Sequence, residues 1–161
     1  MAELTDSDRA YVRRAIDLAY AAVEDGNRPF AAVLVGADGE VLMEGCNISV
    51  KTGDPLNHAE MNVLRAAHLR HGPEKIDGGT LYINGEPCTM CAGAILRYGI
   101  ARVVFGLREA DLMQYMTRRP GVVSYPSAPI FAIAGRVDVV AGVLADDAKR
   151  AFELYVAKGR F

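Results

Sequence analysis

A chain of 161 residues has room for one domain with a sizeable core, and a single domain over 1–161 is expected. Half of it is hydrophobic (51%) and about a quarter charged (24%), an ordinary globular balance, and a net charge of −2 gives no global attraction to nucleic acid. No apolar run approaches the roughly 18–20 residues of a membrane span, and Met1-Ala2-Glu3-Leu4-Thr5-Asp6 lacks the basic and apolar regions of a signal peptide. Three cysteines do not make a disulfide scaffold, so no membrane association and a cytoplasmic setting are expected.

The spacing of Val12, Ala15, Ile16, Ala19, Ala22 and Val23 predicts a helix over 6–25, capped by Thr5 or Asp6 and stopped by Gly26. Apolar runs at 30–35 and 40–46 flank Ala37-Asp38-Gly39, whose Asp-Gly pair marks an antiparallel hairpin. Residues 51–57 read as a loop. His58 then opens a helix to about Arg70, with Met61, Val63, Leu64 and Ala67 inward and Gly72-Pro73 as its end. A third strand at 80–83 leads into Glu86-Pro87-Cys88-Thr89-Met90-Cys91. Pro87 lacks the N–H that a first helical turn leaves unpaired, so it reads as the opener of a helix ending near Tyr98-Gly99. A fourth strand follows at 101–106. Residues 108–119 have a helical pattern (Leu112, Tyr115, Met116), and 120–129, with three prolines, read as a loop. Residues 136–141 form the expected last strand, and Asp146 caps a closing helix with Ala148, Ala151, Phe152 and Tyr155 on one face. The alternation of strands and helices predicts α/β layers with parallel strands in the second half.

Cys88 and Cys91 share one face of a helix start, where the positive end of the dipole favours the thiolates that bind metal. Two thiolates are half of a zinc site. Cys46 stands alone and is read as core, so the third ligand is sought in His58-Ala59-Glu60. His58, Cys88 and Cys91 would leave a fourth position open for water, the mark of a catalytic zinc. Glu60, two residues on, reaches that position without being a ligand, and H-x-E with P-C-x-x-C is the described signature of zinc deaminases acting on bases. His68 and His71 are read as solvent-facing.

On these two motifs the chain resembles the cytidine-deaminase-like superfamily, in the branch that holds tRNA adenosine deaminases, guanine deaminases and fungal-type cytosine deaminases. The resemblance spans roughly residues 8 to 107, including Pro29-Phe30-Ala31-Ala32-Val33, Gly45-Cys46-Asn47 and Arg102-Val103-Val104-Phe105-Gly106. It implies a three-layer α/β/α fold with a central five-stranded mixed sheet and one Zn2+ per chain. It also implies Asn47, Ala59 and Phe30 as substrate contacts, and a homodimer or higher homo-oligomer. Taken alone, Asn47 is a turn former and Phe30 a buried strand residue. Glu109 and Asp111 lie where some guanine deaminases carry a second acid, although a solvated helix face is the default. Asn57, Asn84-Gly85, Ala31 and the segment 107–135 depart from the family pattern.

The expected activity is zinc-dependent hydrolytic deamination of a free nucleobase or similar small amino-heterocycle, guanine-like or cytosine-like, with Glu60 as proton carrier. Deamination of adenosine in tRNA is the alternative, and would need a local basic surface such as Arg118-Arg119 or Lys158 and Arg160. A silent zinc-stabilised binding module would have no use for Glu60.

Overall fold

The computed structural model describes residues 4–116 and 125–159. Its elements are α1 (Asp6–Glu24), β1 (Ala31–Val35), β2 (Val41–Cys46), α2 (Ser49–Thr52), α3 (Ala59–His71), α4 (Pro73–Ile76) and β3 (Thr80–Gly85). They continue with α5 (Thr89–Arg97), β4 (Arg102–Leu107), α6 (Glu109–Leu112), α7 (Ala128–Ala134), β5 (Asp138–Ala141) and α8 (Ala145–Ala157). One mixed sheet runs β2-β1-β3-β4-β5. β1 is antiparallel to both β2 and β3, whereas β3, β4 and β5 are parallel. This is the expected three-layer α/β/α arrangement.

Alternation along the strands decides which helices cover which face. Leu34, Leu81, Ile83, Val103 and Phe105 meet Val63, Leu64 and Ala67 of α3, Ile95 of α5 and Phe131 of α7. The intervening Val33, Val35, Tyr82 and Val104 meet Val12, Ala15 and Ile16 of α1 and Ala148 and Phe152 of α8. The central strands are therefore buried on both faces, as parallel sheets require. Gly106 is needed where β4 passes beneath α8: a Cβ there would stand 2.5 Å from the Asn84 carbonyl oxygen and 2.9 Å from the Ala148 methyl. Among the described residues no helix is long and apolar enough to cross a membrane.

Three expectations are corrected, and α4 is added after the expected end of α3. The helix over 108–119 shortens to α6, because burial of Leu112 in the core is followed by turns at Gln114 and Tyr115, and 117–119 lie outside the described residues. The loop over 120–129 is part helix: Pro129 sits in the first turn of α7, where a missing N–H costs nothing, and Phe131 anchors the helix in the core. Residues 120–124 of that loop are likewise outside the description. Pro73 does not merely end α3 but opens α4, whose Ile76 is fully buried. The cap of α8 is Leu144 in the left-handed region (φ 54°), with Asp146 inside the first turn.

Thr5, not Asp6, caps α1 in a reciprocal box: the Thr5 hydroxyl accepts from Asp8 N–H, and Asp8 accepts from Thr5 N–H at 2.8 Å. Asp8 is buried and also receives Arg102 of β4 at 2.8 Å, and Arg102 reaches on to Asp138 of β5. Burial by itself would raise the Asp8 carboxyl, but the Thr5 N–H and the Arg102 guanidinium outweigh it and hold it below its ordinary 3.8. A depressed folded-state value stabilises the protein above the unfolded value, and that stability is lost as pH falls through the folded value. Asp8→Asn is expected to cost roughly 1–3 kcal/mol at pH 7, read from the urea midpoint. The gap from wild type should narrow as pH falls below about 4, and a gap independent of pH would refute the assignment.

Candidate metal centre

Two helix starts build the site. His58 is the N-cap residue of α3 and Cys88 the N-cap residue of α5, both with extended backbone (ψ 156° and 170°). Pro87 therefore stands before the cap rather than at the first helical position, and Cys91 occupies the third. An N-cap side chain turns toward the third residue of its helix, and this brings the two sulfurs together. Cys88 Sγ lies 3.6 Å from Cys91 Sγ and 3.6 Å from His58 Nδ1, and Cys91 Sγ lies 3.5 Å from that nitrogen. Tetrahedral coordination with bonds of about 2.3 Å to sulfur and 2.0–2.1 Å to nitrogen places such atoms about 3.8 Å (S···S) and 3.6 Å (S···N) apart. The three donors fit one ion of zinc's size and softness, and they are the group among the described residues that could hold a metal.

Electrostatics favour a cation there. The Cys88 thiol is pulled well below its ordinary value, first by its contact with Cys91 and then, against burial, by His58. Cys91 is driven up by the same contact and by burial, while the Cys88 partnership raises His58. A divalent ion would let both sulfurs ionise. Glu60, in the first turn of α3, is 3% exposed and makes no salt bridge among the described residues. Burial raises its carboxyl, the Cys88 charge adds to that, and His58 opposes it.

The loop that delivers His58 is tied to β2. Asn62 Nδ2 donates to the Cys46 carbonyl at 3.1 Å and to that of Asn57, while Ile48 N–H donates to the Asn57 carbonyl. Asn47 is 1% exposed, and its N–H donates to the Phe30 carbonyl at 2.8 Å. Its Oδ1 accepts from both Ser49 N–H (2.9 Å) and Ser49 Oγ (2.7 Å). The amide thus presents a donor only, not the donor–acceptor pair expected from its side chain. The Phe30 ring packs edge-on against Phe152 (centroids 5.0 Å) and beside Gly85, so its link to Asn47 runs through its carbonyl. Ala59 is enclosed as a whole, at the first position of α3, where its N–H has no partner within the helix. Glu109 and Asp111 are half-buried on α6 and outside the metal-binding trio.

Other sequence expectations shift. His68 and His71 are half-buried, not solvent-facing: His68 stacks edge-on against Tyr98 (5.5 Å), and His71 Nε2–H donates to the Leu42 carbonyl at 3.1 Å. Cys46 is half-buried at the end of β2. A groove of about 890 Å³ bounded by His68, Asp77, Tyr98 and Arg136 lies at the opposite ends of α3 and α5, and contains none of the trio. The donor set, not cavity size, locates the site.

Two buried polar residues carried no functional pattern in the sequence. Asn84 accepts from Ala31 N–H (2.9 Å) and donates to the Pro29 carbonyl (2.8 Å), clamping the start of β1 to β3. Glu86 accepts from Glu109 N–H, Ser127 N–H and Ser127 Oγ. Asn84 stood out only as a departure from the family pattern, and Glu86 only as the residue before Pro87.

The profile of the cytidine and deoxycytidylate deaminase zinc-binding region matches residues 5–107, the part of the chain that holds this trio. The chain belongs to that family. A probable cytosine deaminase of Schizosaccharomyces pombe is 38% identical over 120 residues, 74% of this chain and 71% of that protein. The tRNA-specific adenosine deaminase of Haemophilus influenzae is 33% identical over 156 residues, 97% and 87% of the two chains. The solved guanine deaminase of Nitrosomonas europaea shares the fold with a TM-score of 0.80, covering 98% of this chain and 87% of that one at 22% identity. For this family member the zinc-binding character of the domain and the donor geometry agree.

The metal-free protein should take up one equivalent of zinc, with His58→Ala or Cys91→Ala lowering affinity by at least about 100-fold in a competitive chelator titration. Equal uptake by wild type and Cys91→Ala would dismiss the trio as the site. Asn84→Leu should cost roughly 2–4 kcal/mol in denaturant unfolding, because it strands the Ala31 N–H and the Pro29 carbonyl in the interior.

Proposed function

We propose that this chain hydrolytically deaminates a free nucleobase or similar small amino-heterocycle, guanine-like or cytosine-like, releasing ammonia. The observation that carries the proposal is Glu60: a carboxyl 3% exposed beside three metal donors, with no salt bridge among the described residues, is expensive unless it handles protons. Zinc held by His58, Cys88 and Cys91 would supply a water acidified toward about pH 7 as nucleophile. Glu60 takes the proton of the attacking water, passes it to the ring nitrogen and afterwards protonates the departing amine. Water oxygen joins the amidine carbon, the exocyclic C–N bond breaks, and a carbonyl replaces the amino group.

Asn47 Nδ2 and the Ala59 N–H, which has no partner within its own helix, offer two donors to a base that presents acceptors. Phe30 serves through its carbonyl, which fixes Asn47. The likeness to the S. pombe protein and the absence of net positive charge favour a small substrate. A second reading, deamination of adenosine in tRNA, draws on the H. influenzae relative, which aligns with nearly the whole chain.

Zinc-loaded protein should release ammonia from at least one of guanine, cytosine, adenine or related amino-heterocycles. Glu60→Ala should lower kcat by about 10²–10⁴-fold while still binding zinc. Silence across the free bases, with turnover of a tRNA anticodon stem-loop, would replace the first reading by the second.

A further inference from the structure

Glu86 is 7% exposed and makes no ion pair with a cation among the described residues. Its charge is met by hydrogen-bond donors from two distant segments. Glu109 N–H, at the start of α6, donates to one oxygen at 2.8 Å; Ser127 N–H and Oγ, just before α7, donate to the other at 2.7 and 2.9 Å. Its own N–H donates to the Leu107 carbonyl at 2.8 Å. Ser127 is fully buried, so these bonds are shielded from water. One carboxylate thus joins the end of β3, the start of α6 and the cap of α7, two residues before Cys88.

What it joins borders the proposed base site. Leu112 of α6 sits against Gly85, where a Cβ would lie 3.4 Å from it and 3.2 Å from the Phe30 ring. The Phe30 carbonyl holds Asn47. Leu112 and the Phe30 ring lie against the same glycine and in the same core cluster, so α6 packs beside the residue whose carbonyl holds Asn47, away from the three metal donors. Alternative roles for Glu86 fit less well: its oxygens are occupied by N–H and O–H donors, and it is not among the residues that could share the metal.

We infer that Glu86 is a positioning residue for substrate recognition: through Glu109 and Ser127 it sets the wall that α6 and the start of α7 form against the metal-bearing helix. This rests on the deaminase reading above, because the wall it sets is that of the proposed base site. Glu86→Gln keeps the shape but turns one acceptor oxygen into an NH2 donor facing an N–H or O–H, so one of the two ties fails.

The decisive experiment measures three properties of Glu86→Gln in the full chain. Amide hydrogen exchange at Glu109 or Ser127 should quicken by about tenfold or more, with protection in β1 and β3 retained. Zinc content should remain at one equivalent. KM should rise by about tenfold or more with kcat changed by less than about threefold, since geometry at the reacting atoms is kept and binding is lost. Ser127→Ala, which removes a single hydroxyl donor, should shift the same quantities in the same direction by less, and it carries the test if Glu86→Gln does not fold. Unchanged exchange at both amides would overturn the inference even if no substrate were known. So would a loss of zinc, or a fall in kcat at constant KM. If wild type is inactive on every free base, the functional proposal fails separately, and KM is read on the tRNA stem-loop it then turns over.

Discussion

Three soft donor atoms from two helix starts, 30 residues apart in the chain, must come within 3.6 Å of one another, and the layout of the sheet makes this happen. α3 follows β2 and α5 follows β3, yet both lie on the face formed by Leu34, Leu81 and Ile83. Their small inward residues, Ala59, Ala67 and Ala92, are fully buried and let the two helices sit close to the strands. With both helices beginning at the same end of the sheet, their positive ends face a common point. Negative charge on sulfur or on a substrate atom is favoured there.

Around that point runs a second set of buried and half-buried polar side chains, outside the metal-donor trio. Asn84 secures the start of β1, Asn62 fastens the His58 helix to the end of β2, and Glu86 gathers α6 and the cap of α7. Each satisfies backbone groups where regular ladders stop. In a water-poor interior an unmatched N–H or carbonyl costs more than a made hydrogen bond returns, so these residues hold the irregular segments in one arrangement. The site is accordingly carried by loops whose ends are fixed from beneath.

Glu60 differs from these. Their ties run to backbone groups of neighbouring segments, whereas the Glu60 carboxyl lies against Cys88, Cys91 and His58 and is raised by its own desolvation. In the proposed reaction this carboxyl is the proton carrier.

The periodicities of 3.6 and 2 and the Asp-Gly turn made the α/β class, α1, α3, α5 and the hairpin legible, because each depends on residues within a few positions of one another; the metal trio was legible because each of its two short motifs is local and their chemistries complete one another. The same local logic placed the end of α3 correctly but missed that Pro73 also opens α4, and it misjudged Pro129, since a proline looks alike at the end of one helix and in the first turn of the next; burial of Ile76 and Phe131 decides. It also left His68 and His71 on the surface, although Tyr98 and the Leu42 carbonyl, distant in sequence, enclose them. The Asn47–Ser49 turn is local and matches the turn-forming reading of Asn47, whereas only the tertiary structure showed that the Phe30 carbonyl receives the Asn47 N–H and that Glu86 holds Glu109 and Ser127. Those roles are hydrogen bonds closed by how the chain folds back on itself. Single residues carry no periodic trace of a partner 23 or 41 positions away.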